Sequence, residues 1–189
     1  QMVYKQLTKV NCKSRWMLYW EEQFERDIDW AGIFVNFQKN KILENRIKMF
    51  IWKSLNYGLN TNEKVEKMKK SDGWCAFCNA EKETIYHLFC DCDFSKPIWY
   101  ALQRKIQSIP THEKLVFTDE IIILGCKNPY INMIVAYTKW TIWTTRNSVV
   151  FENLWTDEGS LYDKIVRRID NHIELINCLN REKIPQLHW

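Results

Sequence analysis

Residues 74–92 read Trp74-Cys75-Ala76-Phe77-Cys78-Asn79-Ala80-Glu81-Lys82-Glu83-Thr84-Ile85-Tyr86-His87-Leu88-Phe89-Cys90-Asp91-Cys92. Four of the chain's seven cysteines fall inside this stretch. The spacing Cys75-x2-Cys78-x8-His87-x4-Cys92 supplies three thiolates and one imidazole. A structural Zn²⁺ takes four tetrahedral S/N ligands, with one pair offered by a tight turn. The gap between Cys75 and Cys78 lets both thiolates reach one ion. The gap between His87 and Cys92 puts them about a turn apart on a helical or near-helical segment. A metal held by both pairs would order the segment. The alternative is a set of buried free thiols packed as small hydrophobes; four donors at ligand spacing favour the metal. Cys90 offers itself as a substitute fourth ligand, but gaps of three to five residues are usual for the second pair, which favours Cys92. With Cys75, Cys78, His87 and Cys92 in place no position is left for a catalytic water, so the expected Zn²⁺ is structural.

Both flanks read as helices. Five glycines and four prolines in 189 residues are under half the usual share of roughly 12 %, too few for a turn-rich β fold. Ser14 is placed to cap a helix carrying Trp16, Met17, Trp20 and Phe24. Leu43, Ile47, Phe50, Ile51 and Leu55 fall at helical spacing and predict a helix from Lys41 to Tyr57, with Gly58 as its stop. Asn62 is read as the cap of a short helix through Lys70, with Val65 and Met68 buried. Ser95 and Pro97 start a helix that turns Ile98, Trp99, Leu102 and Ile106 inward. Thr118 opens a short helix ending at Gly125, and Pro129 opens a longer one through Ile131, Ile134, Val135, Thr138 and Ile142. Thr156 or Ser160 caps a last helix whose stripe runs Leu161, Ile165, Ile169, Ile173, Ile176 and Leu179, stopped by Pro185. The expected fold is mainly α: an irregular helical domain with a small CCHC zinc knuckle between helices. Its segments are a basic helical part (1–73), the knuckle (74–93) and a C-terminal helical part (94–189), forming one unit.

The net charge of +4 is unevenly spread. Residues 1–74 hold 14 basic and 9 acidic groups, whereas 108–189 hold 9 and 10. Between 39 and 70, Lys39, Lys41, Arg46, Lys48, Lys53, Lys64, Lys67, Lys69 and Lys70 face only Glu44, Glu63 and Glu66, a block of +6. Such a block on folded helices can track phosphates, although a Lys-rich run is more often a solvated face. Exposed rings beside it would stack on bases. Trp52, Tyr57, Trp74 and Phe77 are the candidates, with core packing the safer reading of Trp52. Trp16, Trp20, Trp99 and Trp143 read as core.

No apolar run approaches the roughly 18 residues of a membrane span. The first twenty residues carry Lys5, Lys9, Lys13 and Arg15 with no apolar stretch of the secretory kind, so an intracellular protein, cytoplasmic and nuclear, is expected. The chain opens on Gln1 and is expected to be a piece of something longer. Asp27/Asp29 and Asp91/Asp93 read as solvated loop acids rather than a two-metal site. His112, His172 and His188 stand alone, and Cys12, Cys126 and Cys178 read as packed thiols. No nucleophile-base-orienter set is visible.

The order Phe50-x-Trp52-Lys53-x-Leu55, Gly58-Leu59-x-Thr61-Asn62-x-Lys64, Cys75-x2-Cys78, Glu83-Thr84-Ile85-x-His87-Leu88-Phe89, Cys92, Trp99 resembles the zinc-binding region near the C-terminus of reverse transcriptases of non-LTR (LINE-type) retrotransposons. The resemblance covers residues 14–104. Beyond 108 it is looser, carried by Lys139 and Ile142-Trp143-x-x-Arg146-Asn147. It implies a parent RNA-directed DNA polymerase with an endonuclease, and a non-catalytic knuckle held by Cys75, Cys78, His87 and Cys92. The implied role of the region is to bind template RNA, target DNA or both for target-primed reverse transcription. No polymerase or endonuclease residue of that family is found in the chain. The other role weighed is an interaction module that docks on the polymerase or a partner protein.

Overall fold

The computed structural model describes residues 13–68, 70–108 and 116–180. Among them the fold is helical, with one isolated antiparallel bridge between Trp74 and Lys82. Helix α1 spans Arg15–Gln23 and buries Met17 and Trp20. Trp20 anchors it by donating its indole N–H to the Leu55 carbonyl at 2.8 Å. Ser14 stands at the N-cap position but makes no capping bond with its side chain.

Helix α2, Trp30–Lys39, starts after Asp29, an exposed acid outside the helix whose carboxylate serves as the N-cap and accepts from Gly32 N–H. Helix α3 spans Asn45–Leu55 and buries Ile47, Phe50, Ile51 and Leu55, a stripe at i, i+3, i+4 and i+8. It is shorter than expected at both ends. Its stop is also displaced, because Tyr57 rather than Gly58 takes the left-handed conformation, with φ 59°. Gly58 N–H then donates to the Lys53 carbonyl at 2.7 Å, the 6→1 bond of a Schellman motif. Helix α4 is only Asn62–Glu66, with Thr61 at the N-cap. The expected extension to Lys70 is not a helix, and Met68 is 53 % exposed rather than buried.

Helix α5, Lys96–Gln107, follows Ser95 as expected and buries Ile98, Trp99, Leu102 and Ile106. Helix α6, Asp119–Leu124, is capped by the Thr118 hydroxyl and closed by Gly125 at φ 77°. A Cβ there would also meet a Phe37 ring carbon at 2.8 Å, so two requirements fix glycine at one position. Helix α7, Pro129–Glu152, is capped by Asn128. Every residue from Ile131 to Lys139 on it is buried, as in a helix surrounded by others. It packs against α3 and against helix α8, Glu158–Asn180. Neither Thr156 nor Ser160 provides the acceptor at the start of α8; the Asp157 carboxylate accepts from Ser160 N–H at 2.9 Å. Buried apolar residues from Met17 to Ile176 form one cluster.

Candidate metal centre

The knuckle begins at Gly73, whose φ of 82° turns the chain back below α4. Cys75 N–H donates to the Glu81 carbonyl at 2.8 Å and Glu83 N–H to the Gly73 carbonyl at 2.9 Å. Between these rungs Asn79 N–H returns to the Cys75 carbonyl, also at 2.9 Å. Cys75 and Cys78 are thereby held on one tight turn.

The second pair depends on a less common device. His87 and Cys92 are five positions apart, which in an α-helix leaves them about 140° out of phase at roughly 100° per residue. Residues His87–Asp91 instead form a π turn. Its i→i+5 bond, Cys92 N–H to the His87 carbonyl at 2.8 Å, brings the two donors to the same side. Trp99 locks this turn from α5 by donating its indole N–H to the Phe89 carbonyl at 2.7 Å.

The Sγ atoms of Cys75, Cys78 and Cys92 and a ring nitrogen of His87 lie within 4.8 Å of one another. Cys75 Sγ is 3.8 Å from Cys92 Sγ, and Cys78 Sγ is 3.3 Å from His87 Nε2. A tetrahedron with Zn–S of about 2.3 Å and Zn–N of about 2.0 Å has S···S edges of about 3.8 Å and S···N edges of about 3.5 Å. The donors therefore fit a tetrahedral ion in type, number and separation. Cys90 is buried outside this cluster, on the side of Asp119 and Lys139. Burial raises its thiol pKa further from the thiolate state a ligand needs.

The four groups constrain one another electrostatically. The hydrogen bond to Cys92, with burial, pushes the Cys75 thiol up to about 12. The same bond lowers Cys92. Burial pulls His87 down, but its bonds to Cys75 and Cys78 outweigh this and lift it to about 9. Glu81 Oε2 lies 3.3 Å from His87 Nδ1 without hydrogen-bonding alignment, and Nδ1 is buried with no other partner.

Glu83, fully buried, ties the knuckle to the rest of the fold. One carboxylate oxygen accepts from Asn62 N–H at 2.8 Å and the other from Ala76 N–H, inside the Cys75–Cys78 turn, at 3.0 Å. The first oxygen also receives Arg146 from α7, at 2.9 Å from Nε and 2.6 Å from Nη2. Arg146 Nη2 donates to Asn62 Oδ1 at 2.7 Å, and Asn62 Nδ2 to the Trp74 carbonyl at 2.8 Å. Sequence reading assigned none of this to Glu83 or Arg146. A signal was available: Arg146 lies four residues after Ile142, on the buried stripe of α7, where an arginine needs a partner.

The expected nucleic-acid residues are dispersed. Lys41, Arg46, Lys53, Lys67 and Lys70 are exposed. Lys48 and Lys64 are half-buried and donate to the Gln38 and Tyr57 carbonyls. Lys67 pairs with Glu63, and Arg46 with Glu44. Lys69 lies outside the described residues, as do Cys12, His112, His188 and Pro185. Trp74 is 41 % exposed beneath the Lys82 ammonium, 5.0 Å from its ring centre. Phe77 must be withdrawn as a stacking platform, because its ring is buried against Phe94 with centroids 4.4 Å apart. Tyr57 stacks on Trp20, and Trp52 packs with Trp16 and Phe34. His172 is a bonded helix residue between Tyr137 and the Ile42 carbonyl. Cys178 is exposed rather than packed. Asp91 pairs with Lys96 at 3.3 Å. No helix of the described residues is long and apolar enough to cross a membrane.

The model of the family described as zinc-binding in reverse transcriptase matches residues 4–99. No curated protein and no solved structure matches the chain.

Proposed function

We propose a function from one premise: this chain belongs to the family of zinc-binding regions in reverse transcriptase. The region is a non-catalytic nucleic-acid-binding part of a LINE-type enzyme, and it positions template RNA, target DNA or both for target-primed reverse transcription. The observation that carries this reading is the closed donor set, in which Cys75, Cys78, His87 and Cys92 converge within 4.8 Å. A bound Zn²⁺ would supply cross-linking of the turn to the π turn, with no position open for a catalytic water. The residues of the chain do the rest. Glu83 fixes the Ala76 backbone, Trp99 fixes the π turn, and exposed Lys41, Lys53 and Lys70 offer charge to phosphates.

A second reading has its own support. Phe151, Leu154 and Trp155 are 76, 59 and 60 % exposed, an apolar strip after the knuckle-bearing half that suits docking on the remainder of the polymerase or on a partner protein.

The test measures zinc content of the full chain and its affinity for RNA and DNA across salt concentrations. One zinc per chain and a negative slope of log K against log salt are expected. Zinc-free protein whose melting is unchanged by chelator refutes the metal, and absence of binding at low salt refutes the nucleic-acid role.

A further inference from the structure

One cationic surface among the described residues lies outside the block that the linear charge profile picks out. Lys164, Arg167 and Arg168 of α8 join Arg46 of α3 around a groove of about 460 Å³, in which Glu44 is the one acid among the lining residues. Lys164 and Arg168 reach only the hydroxyls of Thr145 and Thr141, at 3.3 and 3.1 Å, and Arg167 reaches the Asp163 carbonyl at 3.3 Å. None of the three forms an ion pair among the described residues. Burial, reinforced by the neighbouring Arg46 cation, holds the Arg168 pKa below its ordinary value. Four cations beside a single carboxylate, Glu44, leave an excess of positive charge that an anion relieves.

Arg46 also borders a second groove, of about 510 Å³, whose lining includes Lys53, Trp143 and Phe151. Phe151 is 76 % exposed. The Arg46–Glu44 pair in the path has side chains 66 and 37 % exposed, so its salt bridge is weak and open to exchange. Cations in one groove and, in the next, exposed Phe151 with half-buried Trp143, Arg46 lining both, match the two chemical parts of a nucleotide chain.

We propose that the joined grooves bind single-stranded nucleic acid, with phosphates on Arg46, Lys164 and Arg167 and unpaired bases against Phe151 and Trp143. This rests on the nucleic-acid reading above but, Arg46 of α3 apart, moves the contacts to α7 and α8, beyond the family match and away from Lys67, Lys70 and Trp74. A duplex buries its base faces within the stack, so the rings select a single strand.

The experiment compares labelled oligo(U), oligo(dT) and a duplex of equal length by fluorescence anisotropy, with salt titrations. Three variants of the full chain are used, each checked for wild-type melting: Lys164→Ala with Arg167→Ala, Phe151→Ala, and Lys67→Ala with Lys70→Ala. Loss of two phosphate contacts should lower the single-strand salt slope by roughly 1.4. Phe151→Ala should weaken the single strand by roughly 5-fold or more. A stronger response of oligo(U) or of oligo(dT) identifies the strand as RNA or DNA and supports the site either way. If the Lys67/Lys70 variant loses affinity while the other two bind normally, the groove is refuted and the nucleic-acid role stands. Failure of the wild type to bind any of the three oligonucleotides refutes both. Equal affinity for duplex and single strand, or competition by polyglutamate as effective as by oligo(U), also overturns the assignment.

Discussion

Replacing Arg146 with Met removes one half of a buried ion pair and leaves the other half in place. The Glu83 carboxylate, 0 % exposed, would keep the amides of Asn62 and Ala76, at 2.8 and 3.0 Å, but lose the cation paired with it among the described residues. Removing one partner of such a pair costs about 3–5 kcal/mol, because a charge is left uncompensated away from water. For a chain of this size each kcal/mol lowers the melting temperature by roughly 2–4 °C, so a fall of roughly 6–20 °C is expected. Zinc affinity should fall as well, since outer partners of a metal site typically contribute 10–100-fold. Adding Glu83→Gln to Arg146→Met removes the stranded charge and keeps an acceptor for one amide. The double variant should therefore be more stable than the sum of the single losses, with a coupling of about 1–3 kcal/mol. Thermal unfolding with zinc-competition titration reads both quantities. A loss below about 1 kcal/mol for Arg146→Met, or strict additivity in the cycle, would refute the claim that this pair holds the knuckle to α7.

Three further outcomes follow from the geometry. Cys92→Ser should abolish stoichiometric zinc, whereas Cys90→Ser should leave it bound, because only the first thiol lies in the four-donor cluster; zinc content of the purified variants decides this. With its thiol pushed up to about 12, Cys75 is protonated at neutral pH in the metal-free cluster. Zinc must displace that proton, so binding should release acid in weak buffer and affinity should rise with pH. Burial lowers Lys139 to about 8, below its unfolded value. The unfolded chain then holds more protons between roughly pH 8 and 10.4, so stability should rise by roughly 3 kcal/mol across that window; Lys139→Met should flatten the rise and stabilise the protein at neutral pH, as read by urea unfolding.

Much of the helical frame was legible because its signals are local. The Ile47, Phe50, Ile51, Leu55 stripe, the Pro97 and Pro129 starts and the long stripe of α8 each occupy one continuous window. Helix α2 escaped notice because WAGIFVNFQK is apolar on several sides and buries only Trp30 and Phe37. The four donors could be picked from spacing, yet the i, i+5 separation of His87 and Cys92 gave no hint of the π turn that brings them together. Phe77 was misread because its cover, Phe94 and Trp155, comes from elsewhere in the chain. Counting charge along residues 108–189 concealed the cations of α8, since Asp163, Asp170 and Glu174 cancel them in the sum. In space Lys164, Arg167 and Arg168 share a face at i, i+3 and i+4, and α7 supplies no acid opposite them.

Arg146 joins the two sites that the chain presents. One edge of its guanidinium is held by Glu83, whose other oxygen grips the turn between Cys75 and Cys78. Its guanidinium carbon lies over Trp143, 5.1 Å from the ring centre, and Arg146 and Trp143 both line the aromatic groove. No zinc donor lines that groove, so a metal at the cluster would act on a strand proposed to bind there only through packing. The path runs from the cysteine turn through Glu83 and Arg146 to Trp143, over side chains that are fully or half buried. Buried, bonded groups of this kind hold one arrangement because each alternative leaves a charge or an amide unpaired. A metal-ordered turn would thereby set the position of a stacking ring on α7.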